Sequence, residues 1–432
     1  MNMLSIRDYF KKKPIYCFLL LILLVSFSAK LIVGYAIRDS FFRRGNSYGA
    51  LNAIAFNLAD NCEYAIESGI PSIDYEPLYP FILAAGYKIF GANWFGVTVI
   101  QAILFGITSY LLFLIGKQLE NEMAGLIAAT YHSFYPYLFL HSLSVVDTTQ
   151  YIFVTTLLVY VVVYSKERGY PFWSYGCIGS LMGLAFLSRG SALVFLPPVL
   201  LYIFLTTENK RIIGKYTILF VCALLTLSPW LIRNYLHAGT FIISTHGPFG
   251  LWQGNNEYSY DYLKNNISLD EVYRREPRPR IYQDNPTRPR PPVEAIKVAQ
   301  KYKSEAARFI KDNPIEFSKL CWIKFIKFWS LTYNPVVSSY AYGNNNIRQC
   351  VYFVSYAPLL FSFLFGLYFL KRKSLSIFFM FFGILVTYTA AHMIVMGFTR
   401  ARLPLDPFLM VLFGITISTI YTKIRSTSYF YN

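Results

Sequence analysis

The chain has 432 residues, of which 55% are hydrophobic and 19% aromatic, and only 15% are charged, with a formal net charge of +17. A soluble protein of this size could not bury so much apolar surface, so the composition predicts an all-α polytopic membrane protein. The positive charge needs no nucleic-acid partner to explain it, because cytoplasmic loops of membrane proteins are rich in lysine and arginine, and we expect no nucleic-acid partner.

The apolar runs predict about ten membrane helices. The first run resembles a signal sequence, but it is too long and lacks a small-residue cleavage site, so we expect it to be retained. Several runs are near the short end of the ~17–25 residues that a span needs. In chain order, the predicted helices cover residues 15–36, 95–116, 123–142, 149–165, 171–188, 190–207, 214–232, 350–370, 375–397 and 403–422.

Two further segments read as amphipathic helices that lie in the membrane interface. Residues 77–91 are too short and too aromatic for a span, and residues 314–331 carry three lysines at helical spacing. A helix with one apolar and one basic face lies in the plane of the interface rather than across the membrane.

The basic residues of the short loops predict the orientation. With both termini in the cytoplasm, every predicted inner loop carries lysine or arginine. Those residues are Lys117, Lys166, Arg168, Lys210, Arg211, Lys215, Lys371, Arg372, Lys373, Lys423 and Arg425. The chain is then one membrane domain over residues 1–432, with two long outer segments at 37–94 and 233–349. The second contains a stretch rich in proline and arginine, 271–292, for which we expect an extended, mobile loop.

The other ionisable residues near helix ends collect on the predicted outer face. They are Asp147, Arg189, Arg233, Arg400 and Arg402. The guanidinium group presents a fixed fork of donors that suits phosphate, so converging arginines would bind a phosphate strongly. Alternatively, each arginine only reaches lipid headgroups at the end of its own helix.

Carboxylates in the first outer segment are candidates for general-base catalysis. Most are expected to be solvated, but Glu76 directly precedes the sequence PLYP, which would hold it at the membrane interface. A carboxylate held there beside arginines could accept a proton from a hydroxyl or amine. We therefore assign Glu76 the role of base and Asp147, at the start of a predicted helix, the role of orienting the acceptor.

Five segments together resemble one family. They are residues 47–91, SLSVVDTTQY (142–151), LAFLSRGSALVFLPP (184–198), residues 228–256 with PWLIRNY and GLWQGNN, and TRARLPLDPFL (399–409). Their order resembles the multipass lipid-linked-sugar glycosyltransferases of GT-C fold. These include protein O-mannosyltransferases, the lipid A aminoarabinose transferase and bacterial family 39-like enzymes.

The resemblance implies an outward-facing cavity that binds a polyprenyl-phosphate sugar and transfers the sugar to an acceptor. Carried over by position, Arg233, Arg400 and Arg402 would bind the lipid phosphate with Arg189 nearby, and Asp147 would be the acidic residue of the second outer loop. The residues implied to line the cavity are Tyr48, Tyr79, His246, Asn255 and Asn256.

One position departs from the family pattern. The family usually has an aspartate two or three residues before a tyrosine in the first outer loop, but here the matching residue before Tyr48 is Asn46. An amide cannot accept the proton. Either another carboxylate (Asp39, Asp74 or Glu76) is the base, or the acceptor is an amine that needs less help, or the chain is catalytically degenerate.

The sequence therefore predicts a multi-pass glycosyltransferase of the cytoplasmic membrane, with its site facing outward. Its expected partners are a polyprenyl-phosphate sugar, a cell-envelope acceptor and membrane lipids. No cofactor is indicated, although a divalent metal remains compatible with the sequence. The alternatives are a transporter or lipid flippase, which would need polar groups near the bilayer midplane, and a binder of lipid-linked sugar without activity.

Overall fold

The computed structural model describes residues 14–38, 46–207, 212–265, 289–332 and 346–428. Over these ranges the chain is mainly helical. The helices are α1 Pro14–Ala36, α2 Asn46–Asn61, α3 Leu78–Phe90, α4 Trp94–Leu119, α5 Glu122–Phe134, α6 Pro136–His141, α7 Thr148–Glu167, α8 Phe172–Ser188, α9 Leu196–Thr206, α10 Ile212–Ala238, α11 His246–Gly254, α12 Ser259–Asn265, α13 Pro292–Asp312, α14 Pro314–Phe328, α15 Asn346–Lys373, α16 Leu375–Ile394, α17 Thr399–Arg402 and α18 Asp406–Ser428.

Seven of the described helices are long and apolar enough to cross a membrane: α1, α4, α7, α10, α15, α16 and α18. Each coincides with a run that the sequence predicted, so the chain is a multi-pass membrane protein of the predicted all-α class. The other three predicted spans correspond to shorter or broken helices, and the exact count of ten stays a prediction.

The run predicted over residues 123–142 is not one continuous helix. It breaks at Tyr135, whose backbone is extended, and resumes at Pro136 as the short helix α6. Proline disfavours the α conformation in the residue before it and has no N–H to donate, so the helix ends there. By contrast, the predicted division at Arg189 is confirmed, because this extended residue separates α8 from a 3₁₀ helix, Gly190–Phe195, that leads into α9.

Small residues allow the helices to pack closely. Gly116 of α4 and Gly125 of α5 face each other, and a Cβ added to Gly116 would lie only 2.7 Å from the Cα of Gly125. Association of membrane helices depends on such close packing, since lipid supplies no hydrophobic drive between them. Asn121 caps the start of α5, where its side chain accepts a hydrogen bond from the N–H of Ala124 at 2.9 Å, and so fixes the tight α4–α5 connection.

Helices form in both segments that were predicted to be interfacial, as α3 and α14; their position in the membrane interface stays a prediction. Between α2 and α3 a small antiparallel hairpin joins β1, Ala65–Glu67, to β2, Ile70–Pro71. The second outer segment forms α11 to α14 where it is described. Most of the proline- and arginine-rich stretch falls within residues 266–288, which lie outside the described part of the chain.

Candidate functional site

The segment Asp74–Glu76 follows the hairpin and leads into α3, where its backbone is fixed by one tyrosine. The hydroxyl of Tyr64 donates to the carbonyls of Tyr75 and Glu76 at 3.0 and 3.3 Å. Pro77 then ends the loop as the N-cap residue of α3, where the missing N–H of proline costs no helical hydrogen bond. The three side chains of this segment therefore project from a rigid turn.

Glu76 links three parts of the chain that are distant in sequence. Its Oε1 accepts a hydrogen bond from the hydroxyl of Ser244 at 3.0 Å and lies 3.4 Å from the backbone nitrogen of Gly190. Gly190 directly follows Arg189. The carboxylate is partly buried, so it remains reachable while being held by fixed donors.

Asp74 lies deeper than Glu76, at 7% exposure. It accepts hydrogen bonds from Thr245 at 2.6 Å and from Ser72 at 3.3 Å. Burial raises the pKa of the Asp74 carboxyl above its ordinary value, although these two hydroxyls and the nearby Arg290 and His246 oppose the change. A carboxyl with a raised pKa is better suited to proton transfer near neutral pH.

Asp147 and Arg189 form a two-point ion pair. Arg189 Nε lies 3.0 Å from Oδ2 of Asp147, and its Nη2 lies 2.5 Å from Oδ1. The two side chains keep 25% and 22% of their surface exposed, so the pair is only partly buried. Burial alone would raise the pKa of Asp147, but the charge and hydrogen bonds of Arg189 bring that pKa below its ordinary value.

Arg400 and His246 stand near this pair. Both are close enough to Asp147 to lower the pKa of its carboxyl further. His246 begins α11, and its ring stacks on Tyr75 with 5.3 Å between ring centroids. The structure thus brings Asp74, Glu76, Asp147, Arg189, His246 and Arg400 to one end of the helix bundle.

Tyr79 contacts Gln101, which holds the turn before Asp147. It is buried, and its hydroxyl accepts from Nε2 of Gln101 at 3.1 Å. Gln101 also donates to the carbonyls of Ser144 and Val146 at 2.7 and 3.3 Å, in the turn that precedes Asp147. Tyr79 therefore belongs to the support of this turn.

Arg402 is buried inside the protein. Its side chain is 0% exposed and pairs with Asp406 of α18, with 2.8 Å between Nε and Oδ1. It also donates to the carbonyl of Phe328 at 3.2 Å and to the hydroxyl of Tyr352 at 2.9 Å. With these donors engaged by protein acceptors, Arg402 joins three helices in this state, and its predicted contact with phosphate stays a prediction.

Arg233 binds the first outer segment. Its Nη1 and Nη2 donate to the carbonyls of Ser72 and Tyr64 at 2.6 and 3.2 Å. The guanidinium also lies over the rings of Tyr64 and Trp230. These contacts attach the hairpin to the end of α10, so the described geometry gives Arg233 a supporting role for Asp74 and Glu76.

Asn255 and Asn256 hold the second outer segment in place. Both are buried. The amide of Asn255 donates to the carbonyl of Ile394 at 2.9 Å, and its oxygen accepts from Lys324 at 2.9 Å. Asn256 donates to the carbonyl of Trp252 at 2.8 Å. Asn255 therefore fastens this segment to the end of α16, whereas Asn256 bonds within the segment itself.

Some predicted residues cannot be placed. Asn46 begins α2, but the side chains of Asn46 and Tyr48 lie outside the described part of the structure, as does Asp39. Within the described ranges no three His, Cys, Asp or Glu side chains form a group that could hold a metal ion.

Several buried polar residues were missed by reasoning from the sequence. Lys30, Arg290 and Lys324 are 1%, 7% and 0% exposed. Burial lowers the pKa of Lys324 to about 8. A lone lysine inside the apolar run 15–36 was a readable signal, since charged residues in membrane helices usually have a function. Nothing local marked Lys324, which shares its helical spacing with Lys319 and Lys327.

The comparisons with known proteins agree with this architecture. A family model described as dolichyl-phosphate-mannose-protein mannosyltransferase matches residues 74–232, less than half of the chain. That range contains Asp74, Glu76, Asp147 and Arg189, so the resemblance stated from the sequence is confirmed. Comparison with curated proteins gives no match.

Solved structures show the fold. The archaeal oligosaccharyltransferase AglB from Archaeoglobus fulgidus, in complex with an inhibitory peptide and dolichol-phosphate, has a TM-score of 0.57 at 15% identity and covers 98% of this chain. The apo form has a TM-score of 0.56 at 13% identity, with 96% coverage. The present chain spans about half of those chains, 52% in each case. ArnT from Cupriavidus metallidurans, bound to undecaprenyl phosphate, scores 0.41 at 12% identity, covering 91% of this chain and 77% of its own. The GT-C fold expected from the sequence is confirmed by the archaeal matches.

Proposed function

We propose that the protein is an integral-membrane glycosyltransferase that transfers a sugar from a polyprenyl-monophosphate donor to a cell-envelope acceptor. The observation that carries this proposal is the partly exposed Asp147–Arg189 pair, with Arg400, His246 and Glu76 around it, at one end of the bundle. The family-model match covers the two residues of that pair. The fold is shared with an oligosaccharyltransferase.

In the proposed reaction, an acceptor hydroxyl or amine attacks the anomeric carbon, and the bond from that carbon to the phosphate oxygen breaks. The proton of the acceptor passes to a carboxylate, and the lipid phosphate leaves as an anion. Arg400 and Arg189 would stabilise the charge that grows on this phosphate, since fixed donors in a partly dry site act without reorganisation. A single displacement inverts the anomeric centre.

The carboxylates divide these roles by their surroundings. Asp147 is held ionised by Arg189, which suits it to orient the acceptor. Glu76 and Asp74 stand on the same rigid turn, and Glu76 is the more accessible of the two. We therefore retain Glu76 as the base, with Asp74 as the second candidate.

The proposed location is the cytoplasmic membrane, with both termini inside and the site outside. The loop charges support this orientation. Lys371–Lys373 end α15, and Lys373 pairs with Glu120, which follows the end of α4. Two of the predicted inner loops therefore lie at the same end of the bundle. We propose one membrane domain over residues 1–432, whose outer segments 37–94 and 233–349 cover the site.

The test uses the purified full chain in lipid nanodiscs. Wild type should bind undecaprenyl phosphate, and Arg400→Ala should weaken this binding roughly 10- to 100-fold, as expected for loss of a charge-assisted hydrogen bond. Arg372→Ala is a matched control, because Arg372 is an exposed arginine at the opposite end. Wild type should also release undecaprenyl phosphate from an undecaprenyl-phosphate sugar when a cell-envelope extract is added.

Three results would count against the proposal. Absence of binding in wild type, or equal binding in Arg400→Ala and wild type, would remove the assigned phosphate site. Binding without any sugar transfer would favour the degenerate binder, a reading that the amide at Asn46 specifically supports.

A further inference from the structure

Lys30 is a charged residue inside a membrane helix that the proposed reaction does not use. It lies in α1, six residues before the helix ends at Ala36, and is 1% exposed. Charged side chains within the bilayer are costly and usually have a function with an identifiable partner. Among the described residues no carboxylate pairs with this ammonium group.

The partners of Lys30 are one hydroxyl and two aromatic rings. Its Nζ donates to Oγ of Ser142 at 2.8 Å. It also lies 3.6 Å from the ring centroid of Phe105 and 3.7 Å from that of Phe139. The hydroxyl of Ser142 in turn donates to the carbonyl of Phe139 at 2.7 Å. Through these contacts Lys30 attaches α1 to the end of α6. The contacts with the rings are strengthened by burial, because cation–π interactions are stronger when the cation is desolvated.

Ser142 begins the turn that carries Asp147. The second half of this turn is held by Gln101, which donates to the carbonyls of Ser144 and Val146. The turn is thus held from the membrane side at two points, by Lys30 and by Gln101, both buried. Asp147 follows directly and forms the ion pair with Arg189.

A second side chain of α1 forms a hydrogen bond with the backbone next to the break between α5 and α6. The hydroxyl of Ser26, one turn before Lys30, donates to the carbonyl of Ser133 at 2.9 Å. The break at Tyr135 leaves this carbonyl without its usual helical donor, and a membrane interior offers no water to replace it. Ser26 and Lys30, one turn apart on α1, therefore both bind the interrupted helix, one before the break and the other after it.

We propose that Lys30 is a positioning residue, which holds the Ser142–Val146 turn and thereby sets the place of the Asp147–Arg189 pair. The part of this inference that concerns phosphate rests on the proposed function, whereas the effect on the turn does not. A displacement of about 1 Å at a catalytic group can reduce activity by about a hundredfold, so a distant residue can matter in this way.

The choice of substitution separates positioning from simple support of the fold. Methionine has nearly the shape of lysine without its charge, and replacing a buried charge with a packed apolar group is often neutral or stabilising. Lys30→Met should therefore keep or raise the midpoint of thermal unfolding while it loosens the turn. Arginine can still donate to Ser142 and stack on the rings, so Lys30→Arg should restore most of the wild-type behaviour.

The experiment measures hydrogen exchange and lipid binding on the full chain in nanodiscs. In Lys30→Met we expect backbone amides of residues 142–147 to exchange about tenfold faster, and undecaprenyl phosphate to bind about tenfold more weakly, on the scale of a small displacement. Ser142→Ala removes the other partner of the same contact and should loosen the same turn. The control is Thr226→Val, which removes a membrane-helix hydroxyl that bonds only to Cys222 of its own helix.

The outcomes are distinguishable. Unchanged exchange of residues 142–147 in both Lys30→Met and Ser142→Ala overturns the inference. A lower unfolding midpoint with faster exchange throughout the protein also overturns it, because Lys30 would then only support the fold. If wild type fails to bind undecaprenyl phosphate, the proposed function fails, and faster exchange confined to the turn would still support the role of Lys30.

Discussion

Arg402 and Asp406 form an ion pair in which both side chains are 0% exposed, with 2.8 Å between Nε and Oδ1. The guanidinium also lies 3.4 Å from the centroid of the Tyr356 ring. Two residues earlier, Arg400 lies near Asp147 instead. The motif TRARLPLDPF thus contributes one arginine to the surroundings of Asp147, in the candidate site, and one to the packing of α14, α15 and α18.

The buried pair predicts a strong effect on stability. Arg402→Ala should lower the free energy of unfolding by about 3–5 kcal/mol, because it leaves the Asp406 carboxylate buried without its partner. Lysine should rescue poorly, since it lacks the fork that reaches Phe328 and Tyr352. Denaturant unfolding in detergent measures this effect. The double variant Arg402→Met, Asp406→Leu serves as the control and should be more stable than Arg402→Ala. Equal stability of wild type and Arg402→Ala would contradict the structural role.

Arg233 should affect the first outer segment selectively. Arg233→Ala removes the donors to the carbonyls of Ser72 and Tyr64, contacts worth roughly 1.5–3 kcal/mol each when the donor is charged. We expect faster hydrogen exchange in residues 64–76, with little change in the membrane helices. Exchange that stays at the wild-type rate in this hairpin would show that other contacts hold it.

The carboxylate assignment predicts distinct transfer activities. Glu76→Gln should lose activity roughly 100- to 10,000-fold, the usual contribution of a general base. Asp147→Asn should also lose most of its activity, because the group that orients the acceptor is then uncharged. Asn46→Asp should retain it. Transfer from an undecaprenyl-phosphate sugar is measured, with folding and undecaprenyl-phosphate binding checked in each variant. Full activity of Glu76→Gln with loss in Asp74→Asn would move the base to Asp74. A gain of activity in Asn46→Asp, with Glu76→Gln unaffected, would instead show that the base has been lost from this chain.

Lys324 predicts a pH dependence of stability. Burial lowers its pKa to about 8 in the folded protein from 10.5, so the unfolded chain binds more protons between these values. The free energy of unfolding should therefore rise with pH from about 8 towards 10.5. This gain in stability is complete above 10.5 and is lost as the pH falls through 8. Comparing the unfolding midpoints of wild type and Lys324→Met from pH 7 to 10 isolates it. Parallel curves for the two proteins would show that Lys324 does not titrate in this range.

The proposed orientation predicts the outcome of reporter fusions. The basic residues of the predicted inner loops should remain on the cytoplasmic side. We expect cytoplasmic signals from fusions at residues 168, 211 and 372, and external signals from fusions at residues 60, 147 and 280. An external signal at 372 would place the basic end of α15 outside and contradict the assignment of the site to the outer face.

The sequence by itself determined the class of protein and the position of its main helices. A membrane helix must satisfy its backbone hydrogen bonds within its own segment, so a long apolar run such as 15–36 or 375–397 is enough to place it. Local rules also located the division at Arg189. The proline at position 136 carried the signal for the break in the run 123–142, but the length of that run favoured a single span.

Only the tertiary structure decided what each polar side chain does. Arg400 and Arg402 have the same chemistry and nearly the same neighbours in sequence, yet Arg400 stays partly exposed and lowers the pKa of Asp147 by its charge, whereas Arg402 is buried against Asp406. Likewise, Glu76 meets Ser244, 168 positions away, and Lys30 meets Ser142, 112 positions away. These contacts depend on which helix faces pack together, and that choice is a property of the whole bundle rather than of any local segment.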